Sequence, residues 1–431
     1  MTSASSSEST AMLPLRVLPP TVIEAVRRLD ASTTPVSAYI YCPEVAALRA
    51  ARLRETLPPW AEVFYAVKAN AFPPVLRALA GIVDGFEVAS EREVDLAAAA
   101  TTSTIATKAR LVASGPGKSE ANLTRLVELG VEAINVESML ELQRVARLAQ
   151  LHGTRVCVTL RVSPRPVHIT PTLALGQNTT PFGIAEEQLA PVLAAASALP
   201  TVEVSGFHFH VVCNNLDAAA HAAYVQWCLG WSQRTAALHG VDLQIVDVGG
   251  GLGVPGEAQE ELDLAVLAEC LGALRPPAGT RVIFEPGRWI VDDCGYYAAE
   301  VTDLKRTNGT WFAVLRGGIH HFLRPAVYGT PHNFTVIPRG FWPYDFARPE
   351  IRDAPVTVVG ELCTPADVLA RDVLVQRLRV GDVLVFPRAG SYGWEMSVQE
   401  FLGHPRAARI VAPRAQQETP ATEHRAVLGS G

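Results

Sequence analysis

The chain has 431 residues with 37 Lys+Arg against 43 Asp+Glu, a formal net charge of −6 that argues against a nucleic-acid binder held by bulk charge. Apolar residues make up 48% and charged residues 19%, so a large core can be buried, and no apolar run reaches the roughly 18 residues a membrane helix needs. The seven cysteines form no C-x-x-C pair, which disfavours a disulfide framework or a metal site and leaves single thiols as candidate catalysts.

Residues 1–12 are rich in Ser and lack a basic n-region and a long apolar stretch, so they read as a flexible N-terminus rather than a secretory signal, and a cytoplasmic location is expected. From Phe64 to Glu285, short β-rich runs alternate with Ala/Leu-rich segments of helical period. The runs are Val63–Val67, Gly85–Ala89, Arg110–Ser114, Ala133–Val136, Arg155–Val162, Glu203–Val211, Leu243–Val248 and Arg281–Phe284. The segments between them include Pro73–Ala80, Glu91–Ala100, Ala121–Leu129, Met139–His152, Glu186–Ala198 and Ala218–Leu238. Eight such units predict an α/β protein with a (β/α)8 TIM barrel, here over residues 41–292. Alternation then stops. Tyr297–Leu304, Trp311–Leu315, Pro355–Val359 and Asp382–Pro387 read as strands of a C-terminal β domain over 293–412, followed by a flexible tail at 413–431.

A barrel does its chemistry at the carboxyl ends of its strands, with phosphate sites after strands 7 and 8. Strand 7 is followed by Gly249, Gly250 and Gly251, whose bare backbone can approach an anion, and strand 8 ends in Glu285-Pro286-Gly287-Arg288, which offers a guanidinium and a carboxylate. Taken alone, the glycines fit a mere turn equally well. Strand 1 closes on Lys68. There a lysine either snorkels to the rim or, partly desolvated, has a lowered pKa and acts as a nucleophile toward a carbonyl. An amine, a phosphate cradle and a carboxylate together match pyridoxal 5′-phosphate, whose ring nitrogen Glu285 would keep protonated. His210, at the end of strand 6, could stack on that ring or be structural.

At this point the motifs resemble those of the fold-type III pyridoxal-phosphate decarboxylases, the ornithine/diaminopimelate/arginine decarboxylase family with its alanine-racemase-like fold. The matching stretches run from about Tyr39 to Arg406: Tyr65-Ala66-Val67-Lys68-Ala69-Asn70, Phe86 to Ser90, Ile134 to Ser138, His208-Phe209-His210, Gly249 to Gly251, Glu285 to Arg288, Arg324 to Tyr328, Cys363 with Asp367, and Gly390-Ser391-Tyr392. The resemblance implies that Lys68 bonds the cofactor aldehyde, Glu285 meets the pyridine nitrogen and His210 stacks on the ring. It implies that Gly249, Gly250, Gly251, Gly287, Arg288 and Tyr392 hold the phosphate, and that Cys363 is the acid returning a proton. It also implies that residues 13–40 join the β domain, and that a homodimer brings Cys363, Asp367 and Tyr392 to the partner's cofactor. Cys363 is equally readable as a small apolar residue.

Three departures bear on the substrate. Cys363 is followed by Thr364 rather than an acidic residue, so a distal ammonium would lose its ion partner. Before the Arg324-Pro325 motif the chain carries Arg316, His320 and His321 where relatives are acidic or amide, so with Arg324 and Tyr328 a carboxylate-binding cluster is expected if these side chains face the pocket. Val212-Cys213 replaces a Gly-Ser that helps to bind phosphate in relatives. These features resemble the branch that decarboxylates citrate-conjugated amino acids in carboxylate siderophore assembly, with citryl-diaminopropionate as the type of substrate. The alternatives are a diaminopimelate or ornithine/arginine-type decarboxylase, a racemase, or a non-catalytic cofactor-binding paralogue. The expected partner is a small molecule, with neither nucleic acid nor membrane.

Overall fold

The computed structural model describes residues 17–29, 36–105, 107–165, 173–174, 180–256, 259–328 and 332–413; the expected flexible stretch 1–12 lies outside them, as does the expected tail 413–431 apart from its first residue. Eight parallel strands, Ala61–Ala66, Gly85–Val88, Leu111–Ala113, Ala133–Val136, Val156–Ser163, Val202–His208, Ile245–Asp247 and Arg281–Phe284, pair in chain order, and the last pairs with the first. The barrel is therefore closed, as the eight-fold alternation predicts. Every residue of Gly85–Val88, Leu111–Ala113, Ala133–Val136 and Ile245–Asp247 is buried. Strands covered on both faces need no polar side, which is why they read as mostly apolar runs, interrupted by Glu87, Asn135 and Asp247. Phe64, Val112, Ala133, Ile245 and Ile283, from five different strands, meet as one cluster in the barrel interior. Helices start where side chains cap them: Ser119, Ser138 and Asp217 accept from Asn122, Glu141 and Ala220 N–H groups.

The second unit is built on the long strand Gly295–Thr307, which pairs antiparallel with Ser37–Tyr41, Val383–Phe386 and Thr310–Leu315. Thr310–Leu315 continues the sheet through Glu350–Val359 to Val368–Arg379, and Ala408–Val411 lies parallel beside Ser37–Tyr41. Sequence patterning yields four of these strands and misses Ser37–Tyr41, Thr335–Ile337, Val368–Arg379 and Ala408–Val411. Val368–Arg379 carries four charged residues and a broken burial pattern, so neither a period of two nor an apolar run marks it. One apolar core runs from the barrel into this sheet through Tyr39, Tyr297, Phe322 and Phe386.

Where the two units meet, Asp292 accepts from Arg324 Nη1 at 2.9 Å and lies 3.1 Å from Arg388 Nε, with Ser391 Oγ on the same carboxylate. Burial alone would raise the Asp292 carboxyl, but Arg324 and Arg388 outweigh it and hold it below its ordinary value. Arg324 Nη1 also donates to the Ser391 carbonyl at 3.0 Å. This overturns the expectation that Arg324 meets a substrate carboxylate: its guanidinium is buried and committed to an ion pair within the chain.

Candidate active site

Five adjacent barrel strands deliver ionisable side chains to their carboxyl ends. Lys68 lies in a single 3-10 turn, Val67–Ala69, directly after the first strand. Glu87 stands beside it because Ala66 and Glu87 are register partners on neighbouring strands. His208 and Asp247 are the last residues of their strands, Glu285 follows Phe284, and His210 lies two residues beyond His208. Ligand-type atoms of His208, His210 and Glu285 all fall within 4.8 Å of one another.

Lys68 donates to Glu87 Oε2 at 2.5 Å. Burial would lower the Lys68 pKa, as the sequence reading expects, but the Glu87 and Glu285 carboxylates outweigh burial and raise it above the ordinary lysine value. The amine is therefore held as an ammonium. Glu285 is 2% exposed, and neither of its carboxylate oxygens has a hydrogen-bond partner among the described residues. His208 Nε2 lies 3.5 Å and His210 Nδ1 3.6 Å from Glu285 Oε2. Burial alone would raise Glu285, but His208, His210 and Lys68 hold it well below the usual carboxylate range. The carboxyl of its neighbour Asp247 is pushed well above the usual carboxylate range by burial and then by the Glu285 charge, and it accepts from Gly249 N–H at 2.9 Å.

The glycines are required where they stand. Gly249 has φ +69°, and a Cβ there would lie 2.4 Å from the Phe209 carbonyl and 2.8 Å from His210 Nδ1; a Cβ on Gly250 would lie 2.5 Å from the Glu285 carbonyl. The backbone thus passes close under the His210 and Glu285 positions. Arg288 donates to Tyr328 Oη at 3.1 Å and its guanidinium sits 4.8 Å from the Tyr392 ring centroid. Tyr392 adopts φ +56°, a left-handed backbone that costs a non-glycine residue energy, and its N–H donates to the Ala69 carbonyl at 2.7 Å. A buried carboxylate without a partner, an amine, a guanidinium beside a phenol and a side-chain-free loop fit pyridoxal 5′-phosphate: nitrogen, aldehyde and phosphate each find a complementary group.

Other expected site residues are placed elsewhere. Arg316 Nη1 donates to both Glu361 carboxylate oxygens, at 2.7 and 2.8 Å, so its charge is already neutralised. His320 is fully buried 3.7 Å from Glu361, and burial lowers its pKa to about 4; His321 is lowered to about 3 and bonds Ser37 Oγ through Nδ1 at 2.9 Å. The pair is neutral at physiological pH, so no free basic cluster exists here. Asp367 is 2% exposed and accepts from Ile319 and Leu362 N–H groups at 2.7 and 2.8 Å, closing its own loop rather than reaching a substrate. Cys363 is exposed on that loop beside Thr364, on the β domain, with a free thiol. Sequence reasoning assigned no role to Glu87, His208, Asp247 or Glu395. The first three sit at strand ends beside assigned residues, which is the signal that marks them.

Comparison with known proteins agrees with this geometry. Residues 46–292 match the model of the pyridoxal-dependent decarboxylase pyridoxal-binding domain, and residues 211–390 that of the decarboxylase C-terminal sheet domain. The chain is 33% identical over 401 residues to a 2-((L-alanin-3-ylcarbamoyl)methyl)-2-hydroxybutanedioate decarboxylase of Staphylococcus aureus, covering 91% of this chain and 98% of that one. It is 28% identical to a diaminopimelate decarboxylase of Aquifex aeolicus, covering 88% of this chain and 87% of the other. The crystal structure of a Helicobacter pylori diaminopimelate decarboxylase complexed with L-lysine superposes with a TM-score of 0.76 at 25% identity, over 90% of this chain and 93% of that one. With a closed barrel, a sheet domain and a matching site, the chain belongs to the pyridoxal-dependent decarboxylases and uses pyridoxal 5′-phosphate to release carbon dioxide from an amino-acid substrate.

Proposed function

We propose that this decarboxylase acts on the amino-acid end of a carboxylate-rich conjugate of the citryl-diaminopropionate type, in siderophore biosynthesis. The observation that carries the substrate reading is the 33% identity over nearly the full length of both chains to a decarboxylase of that compound class. Thr364 supports it: an uncharged residue after Cys363 leaves a free distal ammonium without a partner, whereas an amide-linked side chain carries none. Recognition of the carboxylates does not fall to Arg316, which Glu361 neutralises.

Bound pyridoxal 5′-phosphate supplies the electron sink that lets a carboxylate leave as carbon dioxide. In the proposed arrangement Lys68 would hold the aldehyde end, Glu285 would meet the ring nitrogen and His210 would lie against the ring. Gly249 to Gly251, Gly287, Arg288 and Tyr392 receive the phosphate. Glu285 is suited to its part because it stays ionised in a buried place and keeps a proton on the group facing it. His208 Nε2 lies 3.5 Å from that carboxylate. Cys363 returns a proton to the carbon that lost its carboxylate, and its place on the exposed β-domain loop fits delivery from a second copy in a homodimer.

The test is carbon dioxide release by the cofactor-loaded protein on four matched substrates: citryl-diaminopropionate, meso-diaminopimelate, L-ornithine and L-arginine. Release from the conjugate alone is expected. Release from a free amino acid at equal or greater kcat/KM overturns the substrate reading and leaves the decarboxylase standing.

A further inference from the structure

Glu395 lies between the sheet domain and the turn that carries Lys68, and the proposed reaction gives it no part. Three successive residues after Lys68 are tied to the segment 390–395. The Ala69 carbonyl accepts from Tyr392 N–H at 2.7 Å, Asn70 Nδ2 donates to the Gly390 carbonyl at 2.7 Å, and Ala71 N–H donates to Glu395 Oε1 at 3.0 Å. Of these ties, only the last uses an ionisable side chain. Glu395 Oε2 is buried without a hydrogen-bond partner among the described residues, and so is the Tyr41 hydroxyl. Around them Tyr41 packs on Phe72 at 4.9 Å, while Arg409 covers Phe72 at 5.0 Å and Trp394 at 4.4 Å.

We propose that Glu395 is a positioning residue: by accepting from Ala71 N–H it clamps the backbone after Lys68 to the sheet domain and fixes where the Lys68 amine points. The inference rests on the reading of Lys68 as the residue that bonds the cofactor. A lysine side chain has four rotatable bonds, so its amine is only as well placed as the backbone it hangs from. The carbonyl-to-N–H tie at Ala69 fixes one side of the turn, and the Glu395 tie fixes the other.

The same clamp senses pH. The groups that face Glu395 are Tyr39, Tyr41, Tyr65 and Cys294, which stay neutral, together with Glu93, whose charge opposes ionisation, and Arg409, which favours it. Burial dominates and raises Glu395 to about 7, with the Ala71 N–H bond and Arg409 offsetting only part of it. Below that pH the clamp is a neutral acid that still accepts from Ala71. Above it, an anion enters a region that already holds Glu87 and Glu93, both acting on Lys68 or each other. Oε1 accepts from Ala71 N–H in both states, so what changes through neutrality is the charge on the clamp, and in the proposed device this charge shifts the turn carrying Lys68.

Two substitutions test this. Glu395→Gln keeps the acceptor and the shape but cannot ionise; Glu395→Leu removes the acceptor. In the cofactor-loaded wild type the lysine-dependent visible band is expected to shift with an inflection near pH 7, and in Glu395→Gln that inflection disappears while the band remains. In cofactor-free Glu395→Leu, amide exchange at Ala71 speeds up at least tenfold, and after loading kcat falls about tenfold with KM moved less than twofold, the scale of one lost buried hydrogen bond. An inflection that persists in Glu395→Gln, or wild-type exchange at Ala71 in Glu395→Leu, overturns the inference. A wild-type band that is unchanged in Lys68→Ala overturns the assignment of Lys68, and the inference with it.

Discussion

Lys68 and Glu87 form an ion pair at 2.5 Å across two neighbouring barrel strands, and Glu87 is completely buried while the lysine is one-third exposed. The carboxylate thus stores the lysine as an ammonium at the mouth of the site. A bond to an aldehyde needs the neutral amine, so loading of the cofactor should accelerate as pH rises toward the raised lysine pKa. Glu87→Gln removes the charge that raises it. The pH–rate profile for loading, followed by stopped-flow absorbance, is expected to move by about one unit or more toward lower pH. An unmoved profile would mean that Glu87 does not control the amine.

Arg324 serves the joint between the two units rather than the pocket. Removing one partner of a buried ion pair strands the other charge, so Arg324→Ala should lower unfolding free energy by about 3–5 kcal/mol. Chemical denaturation measures this directly. Asp292 has a depressed folded pKa, so its contribution is complete above the unfolded value near 4 and is lost as pH falls through the folded value. The wild type should therefore lose this part of its stability below about pH 4, and Arg324→Ala, which keeps Arg388 and Ser391 on the carboxylate, should lose less of it.

Acid also acts through buried histidines. Burial lowers His221, His320 and His332 to about 4, so each is neutral in the folded chain while the unfolded chain takes up protons from about pH 6.5 downward. Stability from these groups is complete above pH 6.5 and declines toward pH 4, at about 1.4 kcal/mol per pH unit for each. His221→Phe, in a site where neither ring nitrogen has a hydrogen-bond partner among the described residues, should flatten the slope of denaturation free energy against pH by that amount.

The proposed delivery of Cys363 from a second copy makes a prediction about mixtures. Lys68→Ala and Cys363→Ala are each expected to be inactive or strongly slowed as pure proteins. Mixed and allowed to exchange subunits, half of the dimers are heterodimers with one intact site of two, so about one quarter of wild-type activity should return. No recovery, with subunit exchange demonstrated, would place Cys363 and Lys68 in one protomer's site or remove Cys363 from the reaction.

The barrel was legible because parallel strands buried on both faces leave apolar runs, and helices between them leave a different period. The strand-end positions of Lys68, His210, Glu285 and the glycines followed from the fold alone. What the linear chain conceals is who stands opposite whom. Arg316 looked like a free cation because Glu361, 45 residues later, neutralises it. Arg324 looked like a ligand because Asp292 precedes it by 32 residues across a domain joint. Lys68 looked depressed by burial because Glu87, 19 residues on, faces it only once two strands are paired in register. Glu395 lies 324 residues from the backbone it holds, and nothing local marks it.

The most direct measurement is borohydride reduction of the cofactor-loaded protein, which fixes the cofactor covalently to the lysine it occupies, followed by peptide mass spectrometry. The cofactor mass is expected on the peptide containing Lys68 and to be absent from Lys68→Ala. Its appearance on Lys118, Lys108 or Lys305, or its persistence in Lys68→Ala, would contradict the site described at the mouth of the barrel.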